Sequence, residues 1–281
     1  MPKRFIRRFL LPFTLLFLTA CGTNYTLPDV SATSDATAKR LFAEERQRPV
    51  ATVKMSPDKA LRQFVRVAKR IEPVAERFCR QETAEKKGFD CDVQILIDEG
   101  TAERNAYQSY AKDGTPIITF TPLMILDARN EDEIAFILGH EFGHHIGQHI
   151  KKGQQQAAVG GLILGGLMAA AQAQSAGTPY YDANAAQQGI EDAVGLGYAL
   201  GNRAFSQQYE LESDVIGTII ARSAGFDPVK GARYFARPEP VRRADGKLSF
   251  WGTHPPDEKR LAVVIEAAAA LERGEGIRRK K

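Results

Sequence analysis

The chain has 281 residues, with 38 Lys and Arg against 34 Asp and Glu, and 43% of its residues are hydrophobic. Four of the basic residues (Lys3, Arg4, Arg7, Arg8) fall in the first twenty positions, where there is no acid, so removing them from 38 leaves 34 against 34. The body of the protein is formally neutral, which argues against a nucleic-acid-binding class, and it is long enough to bury one sizeable core.

The basic start runs into a short apolar stretch, Phe9 to Leu18, too short for a stable membrane span. Leu18-Thr19-Ala20-Cys21 follows and resembles the lipobox of bacterial lipoproteins. We therefore expect residues 1–20 to be a lipoprotein signal peptide and Cys21 to be the lipidated residue. Gly22, in place of an acid, follows; the resemblance to Gram-negative lipoproteins then implies a periplasm-facing protein at the outer membrane. Residues 21–50, rich in Ser, Thr, Ala and charge, read as a tether, and residues 51–275 as the folded domain. Residues 276–281, with Arg278-Arg279-Lys280-Lys281, read as a frayed basic tail.

Ser56-Pro57-Asp58 is a helix start: a capping residue, a proline where its missing N–H costs nothing, and an acid in the first turn. Leu61, Phe64, Val65, Ala68, Ile71, Val74, Ala75 and Phe78 continue at helical spacing, with Pro73 as a potential kink. Cys79 and Cys91 are too far apart for a metal knuckle and, in an oxidising envelope, are a candidate disulfide. Val93–Ile97 and Ile117–Phe120 read as strands, with Asp113-Gly114 as a turn between them and Asn105-Ala106-Tyr107 in the connection. This predicts a small mixed sheet whose edge could pair with an extended peptide.

Gly139-His140-Glu141-Phe142-Gly143-His144 comes next. Residues four apart share a helical face, so His140 and His144 can offer two imidazole nitrogens to one metal ion. The helix is well specified: Asn130 and Glu133 form a capping box, Glu131 and Asp132 suit the dipole, and Ile134, Phe136, Ile137, Leu138, Phe142 and Ile146 supply apolar surface. Burying two imidazoles and a carboxylate without partners costs about 1–3 kcal/mol each, so a bound ion, most simply zinc at one per chain, is expected. Four of the five histidines fall in this stretch; His145 and His149 lie away from the ligand face and read as solvated or as supports behind the ligands.

Residues 157–171 are an uninterrupted apolar run with Gly161 and Gly165 four apart. It is short for a membrane span, which leaves a packed small-residue helix, a membrane-facing hairpin or a lid beside the site. Ser175 to Asp192 reads as an exposed loop, with Gly201-Asn202 marking a return to helix. The helix near 206–224 carries Glu210 and Asp214 on one face. Two histidines leave a catalytic zinc under-coordinated, so a third ligand belongs here, and spacing alone does not choose among Glu191, Asp192, Glu210, Glu212 and Asp214. Asp214 can also take a hydrogen bond from the outer nitrogen of a ligating histidine.

His140-Glu141-x-x-His144 with Glu210-Leu211-Glu212-Ser213-Asp214 resembles the pattern of the zinc peptidases that include HtpX and the CAAX-prenyl endopeptidase, the gluzincins. The resemblance runs from about Val93 to Arg260 and takes in Asn105-Ala106-Tyr107 and Thr253-His254-Pro255-Pro256. It implies an α+β, mainly helical, zincin-like metallopeptidase domain with a small β-sheet next to the metal-binding helix. It also implies Glu210 as third ligand, Glu141 as general base and His254 as a group that stabilises the oxyanion or fills the open zinc position; a surface-turn histidine is the plain alternative. Ser213 stands where alanine is usual, and Gln207 where the family commonly has arginine. The expected function is a zinc metalloendopeptidase of the cell envelope, lipid-anchored, acting on unfolded or misassembled proteins or peptides. Rival readings are a periplasmic chaperone or assembly factor with little proteolysis and a hydrolase of cell-wall or small substrates; no nucleic acid is expected, and the oligomeric state is open.

Overall fold

The computed structural model describes residues 23–48, 55–176, 178, 181–237 and 250–280, with backbone alone for 198–206. Cys21 and the segment before it lie outside the described residues. The fold is mainly helical: α1 (Ala32–Gln47), α2 (Pro57–Glu82), β1 (Gln94–Ile97), β2 (Ala106–Tyr110), β3 (Pro116–Phe120), α3 (Pro122–Asp127), α4 (Glu131–Gly147), α5 (His149–Ser175), α6 (Ala183–Ser223), α7 (Pro228–Ala232), α8 (Phe250–Thr253) and α9 (Glu258–Glu272).

Helix α4 is the axis of the core. Its flanks bury Ile134, Phe136, Ile137, Leu138, Phe142 and Ile146 completely, and α2, β2, β3, α6 and α7 all pack on it. Asn130 caps it by accepting from the Glu133 N–H, while the Glu133 carboxylate reaches back one residue further than a capping box requires, to the Arg129 N–H at 2.7 Å. Helix α2 runs unbroken through Pro73 and turns Phe64, Val67, Ala68, Ile71 and Ala75 inward, leaving Leu61 and Val65 exposed. Cys79 at its end is bonded to Cys91, Cα atoms 5.8 Å apart, which fixes the approach to β1.

The sheet has strand order β1-β3-β2, with β1 parallel to β3 and β2 antiparallel to it. The Asp113-Gly114 turn is present, Gly114 at φ 93° and Asp113 accepting from Thr115 N–H. It joins β2 to β3, however, because Ala106-Tyr107 is itself strand and not connection.

Other expectations need correction. Residues 32–47, assigned to a tether, form a capped helix that buries Ala38, Leu41, Phe42 and Glu45 against α9. Glu45 is buried because two guanidinium groups neutralise it, Arg129 at 2.7 Å and Arg233 at 2.6 Å. The basic tail is not frayed: Arg279 bridges Tyr25, Thr26 N–H donates to Arg278 O at 2.9 Å and Lys280 N–H to Asn24 O at 2.7 Å. The expected loop from Ser175 to Asp192 ends early, since Asp182 caps α6, whose 41 residues run straight through Gly201-Asn202.

Residues 157–171 belong to α5, which packs along α6 as a helical hairpin. The contact is set by small residues: a Cβ on Gly197 would stand 2.2 Å from Gly160 O, and one on Gly165 would stand 2.4 Å from Val194. Val194 and Gly197 precede Glu210 by 16 and 13 residues, so this packing is about 20 Å from the ligand end of α6 at ~1.5 Å per residue. The segment is a packed helix and not a cover over that end. Its outer face exposes Leu162, Ile163 and Leu167, and α5 is the one helix among the described residues long and apolar enough to cross a membrane.

Candidate metal centre

Helices α4 and α6 cross at glycine. A Cβ on Gly143 would sit 2.8 Å from Ser213 Cα, and one on Gly217 would sit 2.9 Å from His140 N. Only hydrogen at these positions lets the two backbones approach closely enough for imidazoles on one helix to meet carboxylates on the other.

The side chains converge at this crossing. His144 Nε2 is 3.0 Å from His140 Nε2 and 3.2 Å from Glu210 Oε1, and His140 Nε2 is 3.4 Å from Glu210 Oε2. His254 joins them: its Nδ1 lies 3.2 Å from His140 Nε2 and 2.9 Å from Glu210 Oε2. The four donor atoms lie within 4.8 Å of one another. That spacing suits the ligands of one tetrahedral ion, and three imidazoles with a carboxylate are a zinc donor set. His254 is buried, at 6% exposure, and is not a surface-turn histidine; its N–H bonds Phe250 O and its ring packs on Phe250 and Phe235.

Glu141 is 1% exposed, and its Oε1 has no hydrogen-bond partner. The nearest cationic candidate is His254 Nε2 at 3.6 Å. An orphaned buried carboxylate oxygen costs about 1–3 kcal/mol or more, a cost that makes sense if the atom serves a water or substrate proton.

Behind the donors stands a second set of charges. Asp214 Oδ1 accepts from His140 Nδ1 at 3.0 Å, which leaves Nε2 free to face an ion. Arg260 holds Asp214 with two bonds of 2.8 Å and reaches Glu210 at 3.2 Å. Burial raises the Glu210 pKa, but His254, Arg260 and His144 outweigh it and hold the carboxyl well below its ordinary range. Burial likewise opposes ionisation of Asp214, and Arg260 then His140 overcome it. Burial opposes a proton on His140, yet Asp214 and Glu210 lift its pKa to about 9. Gln207, which stands where the resembled family commonly has arginine, bonds Asp257 at 3.1 Å, and the guanidinium beside Glu210 is that of Arg260 on α9. Sequence reasoning missed Arg260, whose only signal is a buried position beside Leu261 and Val264 on an apolar helix.

Glu212, two residues from Glu210, turns away from the donor cluster and bonds His149 Nε2 at 2.8 Å. His149 does not continue α4: Gln148 adopts the left-handed conformation, φ 56°, and His149 opens α5. Neither it nor His145 is solvated. His145 donates to Asp90 O at 2.7 Å and meets Tyr110 OH at 3.2 Å, tying α4 to β2, and burial lowers its pKa. Burial pushes His149 down to about 4.

The sequence model of Peptidase family M48 matches residues 62–268. Metalloprotease LoiP of Escherichia coli K12 is 31% identical over 146 residues, covering 52% of this chain and 53% of LoiP. The mitochondrial metalloendopeptidase OMA1 of Arabidopsis thaliana is 26% identical over 54% of this chain and 27% of its own length, and that of Saccharomyces cerevisiae 24% over 62% and 46%. The chain thus spans about half or less of these relatives. No solved structure matches it.

Proposed function

The chain belongs to Peptidase family M48, and from that premise we propose that it is a zinc metalloendopeptidase of the bacterial cell envelope. The observation that carries the reading is the convergence of His140, His144, Glu210 and His254 beside a buried, unpartnered Glu141 oxygen. A purely structural zinc site is closed by its ligands and has no use for a base.

In this reading His140, His144 and Glu210 hold the ion, which supplies Lewis acidity toward the scissile carbonyl and acidifies water. Glu141 takes the proton from the attacking water and returns it to the departing amine. Asp214 fixes the tautomer of His140, and Arg260 keeps Asp214 and Glu210 ionised and in place. His254, whose Nδ1 joins the donor atoms, is assigned one of two roles, stabilising the developing oxyanion or filling the open zinc position in the idle enzyme. Strand β2 is a sheet edge packed beside α4, which suits pairing with an extended substrate backbone and favours unfolded over folded proteins.

The test is Glu141→Gln in the full chain. It keeps zinc and fold and lowers cleavage of an unfolded protein by about 10²–10⁴, the worth of a general base; undiminished cleavage refutes the mechanism. Envelope placement rests on Cys21 as the lipid attachment site. Palmitate label should be lost in Cys21→Ala, and label that persists removes the anchor from the proposal.

A further inference from the structure

His144 Nε2 faces the donor cluster, so in a ligating His144 the ring proton sits on Nδ1. The partner at that nitrogen is not a carboxylate, as it is for His140, but His149 Nδ1 at 3.0 Å. To accept there, His149 must carry its own proton on Nε2, and Nε2 points at Glu212 Oε2, 2.8 Å away. The other Glu212 oxygen accepts from the backbone N–H of Tyr25 at 2.8 Å and from that of Asn24. Every proton in this chain therefore has one direction: His144 donates to His149, His149 to Glu212, and Glu212 is satisfied by the backbone of residues 24–25.

We infer that His149 is a positioning residue for His144, and that Glu212 together with the Asn24–Tyr25 backbone completes the support, making the N-terminal segment a component of the metal centre. This rests on the reading of His144 as a zinc ligand.

Several otherwise unexplained features serve the arrangement. Gln148 takes a left-handed conformation, unfavourable for a residue with a Cβ, and this turns His149 back over the end of α4. A Cβ at Gly147 would lie 2.2 Å from His149 Nε2, so glycine clears the space for the ring. Tyr209 stacks on His149 with centroids 4.4 Å apart and planes 13° from parallel, fixing its tilt. Glu212 is fully buried, which demands the partners it has. Residues 24–26 are in turn held by the C-terminal tail, by Lys152 Nζ on Asn24 Oδ1 at 3.0 Å and by Tyr25 OH on Glu82. The Ser213 hydroxyl, 3.2 Å from His149 Nδ1, is the competing donor within reach.

The experiment measures zinc affinity by chelator competition, and the visible spectrum of the cobalt-substituted protein, in the full chain. His149→Phe keeps a ring against Tyr209 and removes both nitrogens. Glu212→Gln keeps the shape but presents an N–H₂ to His149, reversing its tautomer so that two N–H groups face each other at His144. Each is expected to weaken zinc by about 10–100-fold, as loss of a hydrogen-bonding partner behind a ligand does, and to shift the cobalt spectrum. If His149→Phe fails to fold, the isosteric Glu212→Gln decides. Native affinity and a native cobalt spectrum in Glu212→Gln overturn the inference. A different result, zinc retained at native affinity in His144→Ala, would instead overturn the ligand assignment on which it rests.

Discussion

Replacing Gly143 with alanine tests whether the α4–α6 crossing sets the metal geometry. The new Cβ would stand 2.8 Å from Ser213 Cα and 3.0 Å from Ser213 O, where 3.4 Å is the near edge of ordinary contact. The helices must therefore part by about 0.6 Å, and the yielding atoms are backbone, flanked on α6 by Glu210 and Asp214. Zinc sites tolerate ligand distances within about 0.2 Å, so the displacement takes Glu210 out of range of an ion still held by His140 and His144. Stability should respond less than binding: overpacking costs about 1–3 kcal/mol, while alanine in place of glycine returns about 1 kcal/mol of helix propensity. We expect urea unfolding of the metal-free chain to shift by no more than about 2 kcal/mol, with zinc affinity falling by about tenfold or more. Gly166→Ala is the control, because a Cβ there meets nothing within 4 Å and only the propensity gain remains. Native zinc affinity in Gly143→Ala, or an equal loss in Gly166→Ala, would show that the close crossing does not govern the site.

What the sequence made legible is the part encoded within single elements. The spacing of His140 and His144 is read directly because it lies on one capped, apolar helix, and the Asp113-Gly114 turn is local chemistry. Glu210 and Glu212 could not be told apart by spacing: both sit on α6 and both are buried, and what separates them is which neighbour each meets, His254 and Arg260 for one, His149 and Tyr25 for the other. His149 was misplaced for a subtler reason. Helical periodicity runs on through Gly147-Gln148, and the left-handed residue that breaks it is Gln148, which has a Cβ, and not the glycine beside it, so the usual glycine signal stands one position early. Residues 32–47 looked like a tether because Ser, Thr and charge outnumber the few apolar anchors, yet Ala38, Leu41 and Phe42 fall at helical spacing and suffice once α9 is there to receive them. Helix α6 runs through Gly201-Asn202 despite the breaking tendency of that pair, and the helical hairpin it forms with α5 is a long-range pairing that no local signal announces.

Two further predictions follow from features remote from the metal. The Cys79–Cys91 bond spans 12 positions, and removing it with Cys79→Ala and Cys91→Ala together should cost about 3 kcal/mol in urea unfolding while zinc stays bound; an unchanged midpoint would mean that the crosslink does not constrain the unfolded chain. Glu266 fastens α1 to α9: one oxygen accepts from Ser31 Oγ and Ser34 Oγ, each at 2.7 Å, and from Ser31 N–H. The hydrogen bonds from Ser34 and then Ser31 pull its pKa from 4.5 to about 2. Because the folded value is the lower one, the unfolded chain binds the proton more readily. The stabilisation is therefore complete above pH 4.5 and is lost as pH falls toward 2. Glu266→Gln should accordingly be less stable than the native chain at neutral pH by roughly 1.5–3 kcal/mol, the worth of hydrogen bonds to a charged acceptor. The gap should close through acid in metal-free urea titrations. A gap that stays constant over the same range would assign the docking of α1 to Leu41 and Phe42 and leave the Glu266 charge without a part in it.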